Sequence, residues 1–297
     1  MMSQIPAEWV LRRILVALDA SPGSLAALSA AVELARQAEA ELEGVFVEDT
    51  SLLSMAGAPL AREIGYHSGE ETALDPARME RKLRMQSQLA RKALEEAAGP
   101  AQVRWSFRTL RGDVVAELMA AAAGADLLAI GKLGWSVGSQ FRIGSTALEL
   151  AESRIPLLLS GGPVREKGRV CVYFDGSTSA KRALRAAAQI AVQDSRIVVV
   201  LIPAASPDEA RRVIETLESA AQELEVQVRC VELERDNALA QVVTACQGGI
   251  LVVGGPEPLK RLPWLKAAIR EYKIPLLLVR NGYDAHPPAN NAGQSSK

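Results

Sequence analysis

Residues 14–19 read Ile-Leu-Val-Ala-Leu-Asp, and residues 170–175 read Val-Cys-Val-Tyr-Phe-Asp. Each stretch is an apolar run of strand length that ends in aspartate, and each is followed by a segment with apolar residues at helical spacing. Such runs and helical segments alternate along the chain, which is typical of βαβ units and of a parallel sheet covered on both faces. The sequence therefore predicts an α/β fold.

The similarity between these two stretches extends to the end of each half. Residues 155–159 and residues 274–278 both read Ile-Pro-Leu-Leu-Leu. We interpret the chain as a tandem repeat in which each copy forms a five-stranded, mostly parallel sheet flanked by helices. The predicted domains are residues 1–162 and 163–283, and the polar residues 284–297 are expected to form a disordered tail.

The two copies differ in length. Asp19 and Asp175 are 156 positions apart, whereas Ile155 and Ile274 are 119 apart, so the first copy has 37 more residues. Most of the excess lies in residues 49–75, which lack clean periodicity and are expected to form a long loop: a lid over a site, a disordered flap or a loop without function. The first copy is expected to contain strands near 14–18, 42–47, 102–109, 126–131 and 155–160, and helices near 25–38, 76–98, 113–123 and 145–152.

Composition excludes several classes of partner. The 34 Lys and Arg residues nearly balance the 35 Asp and Glu residues, so no basic field is available to bind nucleic acid or an anionic membrane. No apolar run approaches the roughly 18 residues of a membrane span, and the N-terminus has no signal-peptide pattern, so we expect a cytoplasmic protein. Three separate cysteines, Cys171, Cys230 and Cys246, are interpreted as buried thiols without disulfides.

A glycine pattern follows the predicted strand at residues 126–131. Gly131 and Gly134 are followed, nine intervening residues later, by Gly144 and Ser145. A strand that ends in glycine and a helix that begins near Ser145 would place backbone N–H groups and a helix N-terminus around one small space, which suits a phosphate. The competing interpretation is that these glycines shape a turn and that Ser145 with Thr146 only caps a helix.

The glycine pattern is not a Walker A loop, because Leu133 follows Lys132 where serine or threonine is required. With the predicted strand order and the aspartate that closes the first strand, it resembles the ATP-binding branch of the universal stress protein family. That resemblance implies two tandem Rossmann-like domains of the adenine nucleotide α-hydrolase-like type. It also implies that phosphates and ribose contact Gly131, Gly134, Gly144, Ser145 and Thr146.

The same resemblance implies three further contacts. Asp19 and Ala17 would line the adenosine pocket, and the main chain of Val47 would meet the adenine edge. Lys132 would either reach a phosphate or extend into solvent. Asp19 has an alternative interpretation, because it precedes a helix start and its counterpart Asp175 lies in a copy where the glycine pattern is broken.

The second copy departs from the motif after its fourth predicted strand. Glu257 stands in place of the second glycine and Ala267 in place of the third, and Pro256 and Pro258 remove backbone donors. A carboxylate beside a phosphate is repulsive. We therefore expect the second site to bind no nucleotide.

The resemblance implies a binding module that takes ATP, with or without Mg²⁺, in the first domain and signals to an unidentified protein partner in a stress response. Residues 131–145 contain no Asp, Glu or His, which favours binding over turnover. A slow ATPase that uses Asp19 and Ser145 near a metal, and a structural adaptor that binds no nucleotide, remain as alternatives. The last strands of the two domains are expected to pair as an intramolecular pseudo-dimer, and both a monomer and a homodimer remain open.

Overall fold

The computed structural model describes residues 11–58, 62–64, 71–73, 75–131, 150, 155–162, 168–193, 197–203, 206–224 and 226–280. Ten of the described strands form one sheet in the order β10-β9-β8-β11-β12-β7-β6-β1-β2-β5. Each half of the chain contributes five neighbouring strands, and within each half the first strand lies between the second and the fourth. The predicted α/β class, with a mostly parallel sheet flanked by helices, is confirmed.

The first half contains strands β1 (Arg13–Ala17), β2 (Glu41–Asp49), β3 (Arg62–Ile64), β4 (Glu71–Ala73), β5 (Trp105–Gly112), β6 (Leu127–Gly131) and β7 (Leu157–Ser160). Its described helices are α1 (Pro22–Ala38), α2 (Thr50–Ala56), α3 (Pro76–Ala98) and α4 (Val114–Ala122). The second half contains β8 (Val170–Tyr173), β9 (Val198–Pro203), β10 (Val228–Leu233), β11 (Ile250–Gly254) and β12 (Leu276–Val279). Its described helices are α5 (Thr178–Gln193), α6 (Pro207–Gln222), α7 (Ala238–Cys246), α8 (Glu257–Arg261) and α9 (Pro263–Arg270).

The central strands are apolar on both faces because helices cover both sides of the sheet. Ile14, Leu15 and Val16 of β1 are consecutive and fully buried, although neighbouring side chains of a strand point to opposite faces. Ile14 and Val16 belong to the core beneath α1 and α3, whereas Leu15 belongs to the core beneath α4. A continuous apolar run in the sequence thus becomes a strand buried on both sides.

The two halves meet at the middle of the sheet. β7 and β12 pair antiparallel, with Leu157 opposite Leu278, Leu158 opposite Leu277 and Leu159 opposite Leu276. All six leucines are buried. The predicted pairing of the last strands is therefore present, and it removes the apolar edge that each half would otherwise expose.

The prediction of a long loop at residues 49–75 is wrong for the part that the structure describes. This segment contains α2 and a two-stranded antiparallel sheet in which β3 pairs with β4. The Asp49 carboxylate caps α2 by accepting from the Ser51 N–H at 2.7 Å. Leu53 packs against the core, whereas Leu52 and Met55 are exposed, so the segment shows no regular apolar stripe.

A buried carboxylate lies in β2 near the amino ends of the strands. Glu43 is 3% exposed and forms ion pairs with Arg13 of β1 and Arg108 of β5. A second contact joins the Arg13 Nε to the Glu43 Oε2 at 3.1 Å. This three-residue ion cluster links β1, β2 and β5 away from the end of the sheet that carries the candidate site.

The cysteine predictions hold in part. Cys171 and Cys246 are buried, but Cys230 is exposed on the edge strand β10. The thiols of Cys171 and Cys246 interact, and this hydrogen bond together with burial raises the pKa of Cys246 well above its ordinary value. Within the described ranges, no helix combines the length and the apolar content that a membrane span needs.

Candidate functional site

The strand order places a crevice at the carboxyl ends of β1 and β6. The chain leaves β1 towards β2 on one side, whereas β6 pairs with β1 on the other side. Helices that leave two neighbouring strands in opposite directions open a gap between them, and open α/β sheets bind ligands at such a point. Ala17, Asp19 and Gly131 follow or end these two strands, so the fold brings three of the predicted site residues to one end of the sheet.

Gly131 lies against the first turn of α1. A Cβ atom at this position would be 2.6 Å from the Gly23 carbonyl carbon and 2.6 Å from the Ser24 nitrogen. At the equivalent end of β11, a Cβ on Gly254 would meet the Ser179 backbone in the first turn of α5. Close packing of strand and helix therefore explains the first glycine of the pattern in both halves, whether or not a ligand binds.

Asp19 shapes the turn between β1 and α1. Its Oδ1 accepts from the Ser21 N–H at 2.9 Å, and Asp175 accepts from the Ser177 N–H at 3.0 Å in the same way. The turn interpretation of this aspartate is confirmed in both halves. A contact between Asp19 and a ligand stays a prediction.

Part of the N-terminus of α1 is capped within the chain. The Ser21 Oγ accepts from the Ser24 N–H at 3.2 Å, and the Ser21 carbonyl accepts from the Leu25 N–H at 3.0 Å. Pro22 has no N–H to offer. Three of the first four helical positions therefore have no backbone donor left for an anion.

Val47 presents its main chain to the crevice. Pairing of β2 with β1 ends at Val45, whose carbonyl accepts from the Leu18 N–H at 2.8 Å. The backbone groups of a strand face its two neighbours alternately, so the N–H and C=O of Val47 point to the same side as those of Val45. β1 has already ended there, so within the described residues no strand pairs with this side of β2 at Val47.

The second half fills the equivalent crevice with aromatic side chains. Tyr173 ends β8 opposite Leu201, as Ala17 ends β1 opposite Val45. Its ring packs against Trp264 of α9 with centroids 5.8 Å apart and planes at 53°. Tyr173 is 7% exposed, and burial, assisted by the charges of Asp175 and Glu209, raises its pKa to about 12.

The strand edge of the second half also lacks a donor. Pro203 lies two residues beyond Leu201, as Val47 lies two residues beyond Val45. Proline has no backbone N–H, so β9 cannot offer the donor and acceptor pair that β2 presents. Neither Tyr173 nor Pro203 was predicted from the sequence to affect the site. Both stand 156 positions after their first-half counterparts, so extending the comparison of the copies would have found them.

A model of the universal stress protein family matches residues 11–160 of this chain. The chain belongs to the universal stress protein family. The match spans all five strands that the first half contributes to the large sheet, together with the candidate site at the ends of β1, β2 and β6.

Two solved structures cover more than nine tenths of this universal stress protein. A universal stress protein from Archaeoglobus fulgidus DSM 4304 superposes with a TM-score of 0.68 at 16% identity, covering 91% of this chain and 98% of its own. The cytoplasmic domain of a prokaryotic cation chloride cotransporter gives 0.50 at 11% identity and covers 92% and 96%. A universal stress protein solved in complex with cAMP gives 0.33 at 20% identity and covers 50% and 97%. No curated protein matches this chain.

The remaining predicted site residues of this universal stress protein lie outside the described residues. They are Lys132, Gly134, Gly144, Ser145 and Thr146, and the predicted helix at 145–152 is described only at the buried Leu150. The predicted tail at 284–297 is also outside the described residues. Their proposed contacts with phosphates and ribose stay predictions.

Proposed function

We propose that the first half of this chain binds an adenine nucleotide, ATP in the first instance, at the carboxyl ends of β1, β2 and β6. The observation that supports the proposal is the end of β1–β2 pairing at Val45, because the N–H and C=O of Val47 face the same side and no described strand pairs with them there. Adenine presents an acceptor at N1 and a donor at its exocyclic amine, so the two edges are complementary. The small Ala17 leaves room beside this edge.

The phosphates would extend towards the residues that follow Gly131. The glycine pattern there resembles that of the ATP-binding branch of the family, and the Ser24 and Leu25 N–H groups of α1 are already paired within the cap. Asp19 would hold the turn beneath the ribose, since its carboxylate orders the chain between β1 and α1.

We further propose that only the first half binds nucleotide. The second half has Tyr173 where the first has Ala17, and Pro203 where the first has Val47. The difference in cleft volume and the difference in backbone donors both oppose an adenine in the second half. The second half would then act as a packing partner. ATP bound in the first half would control how the chain signals to other proteins in a stress response.

The decisive experiment compares Ala17→Tyr with Ala17→Ser in the full chain. Binding at a ligand concentration of roughly 1,000 Kd stabilises a protein by about 4 kcal/mol, so we expect millimolar ATP to raise the melting temperature of the Ala17→Ser variant and of the natural chain by several degrees. The Ala17→Tyr variant should show no shift, because its ring would occupy the adenine position. An equal ATP shift in the tyrosine variant would refute the proposed position of adenine.

Two further measurements separate the alternatives. Mass spectrometry of the ligand released from the natural protein identifies the adenylate, and a protein that neither carries a nucleotide nor shifts with ATP would favour the adaptor alternative. Phosphate release that continues for many turnovers and is lost in Ala17→Tyr would favour the slow ATPase.

A further inference from the structure

Helix α3 exposes two large apolar side chains to solvent. Met85 is 56% exposed and Leu89 is 51% exposed. Positions four apart in a helix lie on the same face, so the two side chains form one apolar strip. The core of α3 is on the other side, where Ala90 and Leu94 are buried.

The fold itself does not require this apolar strip. Helix α6 occupies the same place in the second half, and its buried Leu217 stands 123 positions after the buried Leu94. The same offset of 123 takes Met85 to Asp208 and Leu89 to Arg212, both of which are exposed. One copy of the repeat therefore carries charged residues where the other carries an exposed apolar pair.

Two opposite charges on α3 lie at equal distances along the helix from Leu89. Lys82 lies seven residues before Leu89 and Glu96 lies seven residues after it. Seven residues are close to two helical turns, so these side chains share the face of Leu89. Both are exposed and both already have partners within the chain; that of Glu96 is Lys92, at 3.6 Å on the same helix.

A two-fold axis through Leu89 would match these features in an antiparallel pair of helices. Lys82 of each copy would then lie beside Glu96 of the other copy, which gives two ion pairs. Met85 of each copy would lie against the small Ala93 of the other copy. We propose that the face of α3 formed by Lys82, Met85, Leu89 and Glu96 binds the same face of a second copy of this chain. This proposal is independent of nucleotide binding.

The proposed contact is small. A helix of 23 residues is roughly 35 Å long, and one helix pair lies at the low end of specific interfaces. We therefore expect a dimer that forms at micromolar to tens of micromolar protein and dissociates on dilution. Sedimentation equilibrium of the full chain across that range measures it.

The first test replaces the apolar pair by the residues that α6 carries. Met85→Asp with Leu89→Arg should be monomeric at every concentration, because charge replaces the apolar centre. Tyr272→Asp is the matched control, since Tyr272 is 51% exposed outside α3, and it should dimerise as the natural chain does. A natural chain that stays monomeric, or a double variant that still dimerises, would overturn the proposal.

The second test addresses the register. Lys82→Glu and Glu96→Lys should each weaken dimerisation about tenfold or more by placing like charges together, and the double swap should restore it. Arg84→Glu changes an exposed charge that lies about 100° around the helix from Met85, and it should have little effect. Failure of the double swap to recover affinity, or an equal effect of Arg84→Glu, would refute the two-fold pairing. Circular dichroism melts establish that each variant is folded.

Discussion

Replacing Ala20 by glycine should stabilise the protein. Ala20 follows β1 with φ of 58°, a left-handed conformation that is strained for alanine, and the equivalent position of the second half is Gly176 with φ of 79°. The left-handed region costs a residue with a Cβ roughly 1–2 kcal/mol. Glycine relieves this strain, but it also increases the conformational entropy of the unfolded chain, which offsets about 0.4–1 kcal/mol of the gain. The net gain from Ala20→Gly is therefore on the order of 0.5–1 kcal/mol.

Urea unfolding of matched variants measures this balance. Ala20→Gly should raise the midpoint, and the reciprocal change Gly176→Ala should lower it by a similar free energy. For a chain of this size the expected change in melting temperature is roughly 1–3 °C in each case. A loss of stability in Ala20→Gly, or a gain in Gly176→Ala, would refute the claim that the two halves share this strained turn.

Two more predictions concern buried polar groups. Arg13→Met combined with Arg108→Met should cost about 3–5 kcal/mol in urea unfolding, because Glu43 is left buried without a counter-ion, and adding Glu43→Leu should recover most of the loss. Absence of that recovery would contradict the ion cluster. Tyr173 should ionise only near pH 12 in the folded protein, whereas it ionises near its ordinary value of 10.0 in the unfolded chain. Because the pKa is raised in the folded protein, the contribution of neutral Tyr173 to stability is complete below pH 10. As the pH rises from 10 towards 12, the free energy of unfolding should fall by about 3 kcal/mol relative to that of Tyr173→Phe. Stability curves of the two proteins that stay parallel from pH 9 to 12 would contradict it.

The sequence predicted the large elements because their signals are local and long. The helix expected near 76–98 coincides with α3, which begins at the Asp75 cap and the following proline. The last strands were recognisable because three leucines in a row are buried on both faces at the centre of the sheet. Burial on both sides leaves an apolar run that no surface element would carry.

Short elements and one boundary were not predictable in the same way. β3 and β4 have three residues each, too few to establish a period of two. α2 has only seven residues and exposes much of its apolar content. β5 begins at Trp105 rather than near 102. Gln102 takes a left-handed φ of 55°, which no strand residue has, so it belongs to the turn between α3 and β5.

For the candidate site, the sequence predicted nucleotide binding in the first half and lost glycines in the second, but it did not predict the differences between the halves at the strand ends. Tyr173 is a good strand residue and Pro203 an acceptable strand end, so neither is conspicuous when read alone. Each becomes informative only through the shared register of the two halves, which sets Tyr173 against Ala17 and Pro203 against Val47.

These two replacements would act on different parts of the proposed adenine site. Tyr173 packs against Trp264 and occupies volume, whereas Pro203 lacks the main-chain donor that Val47 has. A repacked core alone would account for the aromatic pair, but it would not require a proline at the position equivalent to Val47. Removing the Tyr173 ring would consequently open a cavity without creating a second nucleotide site. The asymmetry between the halves therefore rests on backbone chemistry as well as on space.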